Sequence, residues 1–428
     1  MRVLVRNGRV VDPASGTDAA LDVLIEGGRI AEVAPGLRAP DADIVEAAGF
    51  VVAPGFIDMH VHFREPGQTH KETIRTGSLA AARGGFTTVC CMPNTTPPND
   101  DPALTAAILA EARRKAAVNV FPIAAVSKGL RGEELCDLAG LAEAGAVGFS
   151  DDGMPVFDDG LMRRALEASR SLRALVIDHC EDRSRTEGGQ MNEGAVARRL
   201  GLRGIPAAAE EVMVARDIRL AEETGARVHI AHLSVRGAVR AVREAKARGV
   251  RVTAEATPHH LALTEDALEG RDTNFKMNPP LRSAADVKAL RDAVRDGTVD
   301  VVATDHAPHA PDEKARPFAE APFGVIGLET AVSVLLDRLV HTDLISLNRL
   351  IELCAAAPAR LLGLEGKGRI APGADADLVL LDLRREIVFE ADGFLSKSRN
   401  SPFLGEALRG APVATIVAGR VVYPAVSA

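Results

Sequence analysis

The chain has 428 residues, 46% hydrophobic and 26% charged, with a net charge of −8, which supplies a large core and an ordinary polar surface. The acidic balance excludes nucleic acid and anionic membrane as expected partners, and neither an apolar run of about 18 residues nor a basic leader ahead of an apolar segment is present. Five cysteines without a CxxC spacing argue against a disulfide framework or structural zinc ribbon, so a soluble, cytoplasmic, enzyme-sized protein is expected.

From Arg2 to about Val52 the sequence reads as short strands and turns. RVLVRNGRVVD, DVLIEGGRIAEVAPG and IVEAAGFVVAPG alternate apolar and polar positions around Asn-Gly and Gly-Gly turns. ADLVLLDL and APVATIVAGRVVYP repeat that style near the end. Neither terminal piece is long enough to close a core, so segments 1–53 and 366–428 are expected to pair into one small β domain.

Between them, over 54–365, short apolar runs alternate with Ala/Arg/Glu-rich stretches of helical period. The runs are 56–62, 87–93, 118–126, 146–152, 174–180, 227–234, 251–260 and 299–308, and helices fit between them, as at Glu72–Arg83, Pro102–Ala117 and Glu210–Thr224. Another helix is expected at Gly327–Leu339. Eight βα units with continuously apolar strands suit a parallel sheet covered on its outer face. No GxGxxG follows the first strand, so a (β/α)8 TIM-type barrel is favoured over a doubly wound sheet.

In such a barrel, chemistry sits where strands end. His60 and His62 end the first run at i, i+2 spacing, which aims both at one face. Asp152 ends the fourth run, His179 the fifth, His232 the sixth and Asp305 the eighth. Four imidazoles and two carboxylates on one rim suit zinc or a similar borderline metal. Because a catalytic zinc usually takes three protein ligands, six imply two metals with one carboxylate bridging. A lone HxH is often a core feature and a lone strand-end Asp a helix cap, but six such residues on five strands favour a metal site. His229, three before His232, is expected to face away; His70 and His341 have no special claim. His259, His260 and His306 suit supporting positions.

PGFIDMHVHFREPG, CCMPNTTPP, GFSDDG, IDHCED, HIAHLS, NPPLR, ATDHAPH, APFGVIGLETA, RIAPGADADLVLLD and SKSRNSPFLG resemble the bacterial dihydroorotases of the cyclic amidohydrolase superfamily. The likeness runs through nearly the whole chain. It implies a binuclear zinc barrel, two Zn2+ per chain, with a β-sandwich formed by both termini. His60, His62 and Asp305 would hold one zinc, His179 and His232 the other, and Asp152 would bridge. Many relatives bridge with a carbamylated lysine, but no lysine ends any of these strands, which argues against hydantoinases and most allantoinases. The implied activity is reversible cyclisation of N-carbamoyl-L-aspartate to L-dihydroorotate, in pyrimidine biosynthesis. Hydroxide shared by the metals would attack, and Asp305 would serve as general base and then acid.

The α-carboxylate of this substrate needs an anchor, and Arg64, two residues past His62, offers a planar fork into the same mouth. The resemblance assigns substrate binding to His62, Arg64, Asn94, Asn278 and His309, with the backbone at Phe323 and Gly324. Asn94 also suits capping the turn before Pro97, and Asn278 a turn before Pro279-Pro280. The polar, proline-containing segment Ala310–Pro322 is expected to close over the mouth as a lid. Cys180, directly after His179, is expected to pack in the core, with zinc ligation the alternative. Some chains of this fold have lost their ligands and serve as non-catalytic subunits of a carbamoyltransferase complex. Here every ligand position is filled, which implies an active enzyme, with a homo-oligomer and a complex with aspartate carbamoyltransferase as the expected assemblies.

Overall fold

The computed structural model describes residues 2–424. Five strands open the chain: β1 (Arg2–Asp12), β2 (Thr17–Glu26), β3 (Arg29–Ala34), β4 (Asp43–Glu46) and β5 (Val51–Pro54). The barrel follows with β6 (Phe56–Val61), β7 (Phe86–Cys91), β8 (Asn119–Pro122) and β9 (Val176–Asp178). A short pair, β10 (Met191–Asn192) and β11 (Gly204–Ile205), lies within one connection. The barrel then continues with β12 (Val228–Ile230), β13 (Val252–Ala256) and β14 (Val301–Val302), and β15 (Leu378–Val388), β16 (Ala407–Val417) and β17 (Arg420–Tyr423) close the fold.

β6, β7 and β8 pair in parallel, as do β9, β12, β13 and β14. Single bridges join the two arcs: Phe149 pairs with Ala124 and Val176, and His306 with Val61. The alternating runs therefore build the expected parallel barrel, but the fourth run, 146–152, contributes one bridging residue rather than a strand. Gly148 lies where a Cβ would come within 3.2 Å of Leu175 O and Ile123 Cδ1, so the chain crosses there at close quarters and then turns away.

Helices Ile74–Arg83, Pro102–Lys115, Asp159–Leu172, Ala208–Thr224, Arg236–Ala247 and Ala284–Asp296 cover the outer face. Side chains of Thr73, Asp101, Asp158 and Ser283 accept the free N–H groups at four of their starts. After the eighth run the helix is shorter than the periodicity predicts, Ala331–Leu335, and passes into a wide π-turn at Leu336–Val340.

The termini meet as expected, in the form of one hydrogen-bonded sheet of order β17-β16-β15-β5-β1-β2-β3, with β4 on β1. β15 runs antiparallel to β5, which leads through Gly55 directly into β6. Val5, Val10, Val23, Ile25, Ile30, Val52, Leu378, Leu380 and Ile416 form its core. Both termini therefore contribute to one apolar core, and the domain brackets the first barrel strand. Among the described residues, no helix is long and apolar enough to cross a membrane.

Candidate active site

The histidines and acids gather just beyond the strand ends, where the chain leaves the ladders. His62 follows β6, His179 follows β9, His232 and Asp305 lie two and three residues past β12 and β14, and Asp152 follows the Phe149 bridge. Three residues of this rim hold left-handed backbone: Arg64 at φ 58°, His232 at 30° and Asp305 at 48°. Such conformations cost non-glycine residues energy and persist where the surroundings enforce them.

Asp152 is the hub. His60 Nε2 lies 3.3 Å from Oδ1, His62 Nε2 3.4 Å from Oδ2, His232 Nε2 3.5 Å and His179 Nδ1 3.6 Å from Oδ1. Asp305 Oδ1 adds contacts to His62 Nε2 at 3.1 Å and His60 Nε2 at 3.5 Å. Burial alone would raise the Asp152 carboxyl, but the His60, His179 and His232 imidazoles around it hold it well below the usual carboxylate range. Burial likewise opposes charge on His60, yet Asp152, Glu255 and Asp305 draw its pKa well above the ordinary value. The cluster attracts positive charge to its centre.

Neighbouring groups set which nitrogen points inward. His60 Nδ1 lies 2.7 Å from Glu255 Oε1, His62 Nδ1 2.8 Å from Asn94 Oδ1, and His179 Nε2 3.0 Å from Glu181 Oε2. Each acceptor fixes a proton on the outer nitrogen and leaves the inner lone pair for the centre. His179 Nδ1 and His232 Nε2 are 2.8 Å apart. His60 Nε2 and Asp152 Oδ1 are buried without a hydrogen-bond partner, an arrangement costly for a closed polar cluster and natural for metal donors. Ligand atoms of His60, His62 and Asp305, and of His60, Asp152 and His232, lie within 4.8 Å of one another. An all imidazole-and-carboxylate donor set fits a borderline divalent metal.

A cavity of about 840 Å³ opens above the cluster, within the usual range for small-ligand sites. Arg64 is buried on its wall and its Nε donates to Pro308 O at 3.3 Å. Burial lowers its pKa to about 10, so it stays cationic at neutral pH. His309 Nε2 lies 2.7 Å from Phe323 O, and burial with Arg64, Lys71 and Lys314 nearby pushes its pKa to about 3. It is therefore neutral: Nε2–H donates to Phe323, and the buried Nδ1 lone pair has no hydrogen-bond partner. Gly324 sits at φ 132°, and a Cβ there would meet His309 Nε2 and Ala307 at 2.9 Å, so only glycine fits.

Asn278 also lines the cavity, but its Nδ2 donates to Glu181 Oε2 at 2.9 Å. Asn94 and Asn278 thus sit behind histidines of the cluster as well as beside the cavity. At Phe323–Gly324, Phe323 O receives His309, Gly324 N donates to Lys276 O at 3.0 Å, and Gly324 O receives Asn400 Nδ2 and Lys314 Nζ, each at 3.0 Å. The segment 310–322 forms one cavity edge through Ala319 and Ala321. Two lysines hold it down: Lys276 Nζ donates to Phe318 O at 2.5 Å, and Lys314 Nζ to Pro322 O at 3.1 Å.

Cys180 turns away from the cluster, with Sγ 3.2 Å from Asp217 Oδ2, and burial pushes its thiol well above the ordinary value. Asp178, Cys180 and Asp217 are close enough to suggest a further metal group. Arg216, 2.6 Å from Asp217 and 3.4 Å from Asp178, already supplies its positive charge. His229 does not contribute to the centre; its Nε2 lies 3.2 Å from Glu255 Oε2. His306 bridges to Glu72 at 3.4 Å, and His260 reaches Pro279 O at 2.9 Å. His259 is buried with Nε2 unpartnered. Sequence reasoning missed Glu255, Glu181 and the two lysines. The one available signal was the acid Glu255 between two alanines in the seventh run.

A model of the family described as Dihydro-orotase-like matches residues 49–238. The chain is 54% identical to the dihydroorotase of Pelotomaculum thermopropionicum, over 99% of this chain and 98% of that protein. It is 50% identical to that of Geotalea daltonii, over 99% of both. Among solved structures it resembles the L-hydantoinase (dihydropyrimidinase) of Arthrobacter aurescens with a TM-score of 0.90 at 27% identity, covering 99% of this chain and 96% of that one. The dihydropyrimidinase of Brevibacillus agri gives 0.86 at 26%, covering 99% and 95%. Full-length identity of this order leaves one assignment: the chain belongs to the dihydroorotase family.

Proposed function

We propose that this chain is a dihydroorotase, closing N-carbamoyl-L-aspartate to L-dihydroorotate with loss of water, and reopening the ring, in pyrimidine biosynthesis. The observation that carries this reading is the Asp152 carboxylate set among four inward-facing imidazoles, with the Arg64 guanidinium on the adjoining wall. His60, His62 and Asp305 would hold one zinc ion, His179 and His232 a second, with Asp152 shared between them. When bound, zinc would polarise the amide carbonyl and make water acidic enough to attack near neutral pH.

The protein's own groups do the rest. Burial raises the Asp305 carboxyl, but His60 and His62 outweigh it and keep the group ionised. Asp305 takes the proton of the attacking water and delivers it to the departing ring nitrogen. In the closing direction it takes the proton of the attacking ureido nitrogen. Arg64 pairs with the α-carboxylate, and the free Nδ1 of neutral His309 accepts an N–H of the ureide. Asn94, with Oδ1 held by His62, keeps its amide N–H groups for substrate, and Asn278 orients His179 through Glu181. The backbone at Phe323 and Gly324 forms the far wall, and 310–322 closes over it as a lid.

The likeness to hydantoinases favours a second reading, hydrolysis of an unsubstituted cyclic ureide on the same fold. Arg64 and the aspartate in the bridging place speak for dihydroorotate instead. A cytoplasmic homo-oligomer that docks onto aspartate carbamoyltransferase completes the reading. Assaying purified protein on dihydroorotate, with elemental analysis, tests it: activity should track zinc towards two ions per chain and vanish on chelation. Full activity in protein without bound metal would overturn the metal assignment.

A further inference from the structure

The opposite end of the barrel carries a second concentration of charge. Arg173 caps the helix Asp159–Leu172 with left-handed backbone, and Arg227 and Arg251 immediately precede β12 and β13. With Arg170 and Ala174 they line a cavity of about 390 Å³. The guanidinium groups of Arg170, Arg227 and Arg251 are steadied by main-chain oxygens. Arg170 Nη1 donates to Thr224 O and Arg227 Nη2 to Arg173 O, both at 2.6 Å, and Arg251 Nη1 donates to Gly225 O at 3.3 Å.

Those carbonyls lie at helix C-termini, where a cation suits the helix dipole. Those bonds account for one or two of the five N–H groups on each of these three guanidiniums. They do not account for four arginines around one cavity without an acid. Arginines nearby on the same elements are paired: Arg219 with Asp159 at 2.5 Å, Arg248 with Glu222 at 3.5 Å, and Arg163 with Glu223. Among the described residues, none of the four cavity arginines has a carboxylate within 4.0 Å. Burial and then Arg251 lower the pKa of Arg227, as expected of like charges held together.

We propose that this cavity binds a multiply charged oxyanion of the phosphate class, inorganic phosphate or a phosphate ester, at a site separate from the active site. Guanidinium forks match phosphate oxygens in pairs. Arg227 is half-buried and held from both sides, so it forms the floor; Arg170, Arg173 and Arg251 are exposed and close around the anion.

The test uses the full chain. Inorganic phosphate is titrated calorimetrically at constant ionic strength, and crystals are soaked in tungstate, an electron-dense oxyanion. The expected result is saturable phosphate binding, tungstate density between Arg227 and Arg251, and about tenfold weaker binding in Arg251→Gln. Arg251 is exposed, so its variant should fold and keep its hydrolytic activity. Arg227→Gln/Arg251→Gln should abolish binding; if that variant does not fold, the single variant decides. Nucleoside monophosphate binding tighter than phosphate would identify the ester as the source, and equal affinity would identify the free ion. Absence of density at the cluster would overturn the proposal. So would equal binding in wild type and Arg251→Gln, and so would a lower melting temperature in that variant with no phosphate binding in either protein, which would leave helix capping as the arginines' whole role.

Discussion

Glu255 Oε1 accepts the Nδ1 proton of His60 at 2.7 Å, while its other oxygen lies 3.2 Å from His229 Nε2. One fully buried carboxylate thus orients an imidazole of the cluster and is itself anchored from behind. Burial would raise its pKa, but His60 and His229 hold it low, and it stays ionised. Supports of this kind typically contribute 10–100-fold to metal affinity. Glu255→Gln, which keeps the shape and removes the charge, should weaken zinc binding by about that factor, measured by competition with a chromophoric chelator. Unchanged affinity would remove Glu255 from the account.

The two aspartates of the DDG turn separate cleanly. Asp151 accepts hydrogen bonds from Val126 N and Ser127 N, both at 2.9 Å, and from the Ser127 hydroxyl. Asp152 faces the imidazoles. Asp152→Ala should lose metal and turnover together. Asp151→Ala should keep its metal content but lose about 1–3 kcal/mol of stability, because two buried N–H groups lose their acceptor. Metal analysis and thermal melts distinguish them; metal loss in the Asp151 variant alone would reverse the assignment.

Asp305→Asn keeps a side-chain oxygen near His62 but cannot carry a proton. Turnover should fall by about a thousandfold or more, since general acid–base catalysis and charge at the centre are lost together, with some metal retained. Near-normal turnover at full metal content would exclude Asp305 as the proton carrier.

Much of this site could be read from residue types alone. Imidazoles and carboxylates at the ends of apolar runs pointed to His60, His62, Asp152, His179, His232 and Asp305, and the fold brings these six side chains together. Strand parity was a poorer guide. His229 and His232 were expected on opposite faces, but β12 ends at Ile230 and His232 adopts φ 30°, so parity does not extend to it. Both residues reach Glu255, His232 through its N–H at 3.2 Å. Glu255 and Glu181 escaped notice because a supporting acid is recognisable only beside its partner, and those partners are distant in sequence or share a loop. The fourth strand failed for a similar reason: apolar residues mark burial, while Gly148 and the SDDG turn decide the backbone.

The lid reading predicts a specific weakness. Lys314 Nζ donates to the carbonyls of Pro322, Gly324 and Lys276 at 3.1, 3.0 and 3.3 Å. Lys314→Met fills the same space without a donor, so Pro322 O loses its donor, and Gly324 O and Lys276 O each lose one of two. Amide exchange over 311–324 should accelerate by about tenfold or more, with KM rising and zinc content unchanged. Exchange as slow as in the wild type would show that the lysine does not hold the segment.

Arg64 decides the central claim, because dihydroorotate and hydantoin share the ureide but only dihydroorotate carries a carboxylate. A guanidinium–carboxylate pair in a partly dehydrated site contributes more than a neutral hydrogen bond. The most direct measurement is the ratio of kcat/KM for dihydroorotate to that for hydantoin, in zinc-loaded wild type and Arg64→Met. The account predicts a preference of at least about a hundredfold in the wild type, largely lost in the variant at unchanged zinc content. Equal hydrolysis of both compounds by the wild type would contradict it and leave the hydantoinase reading in its place.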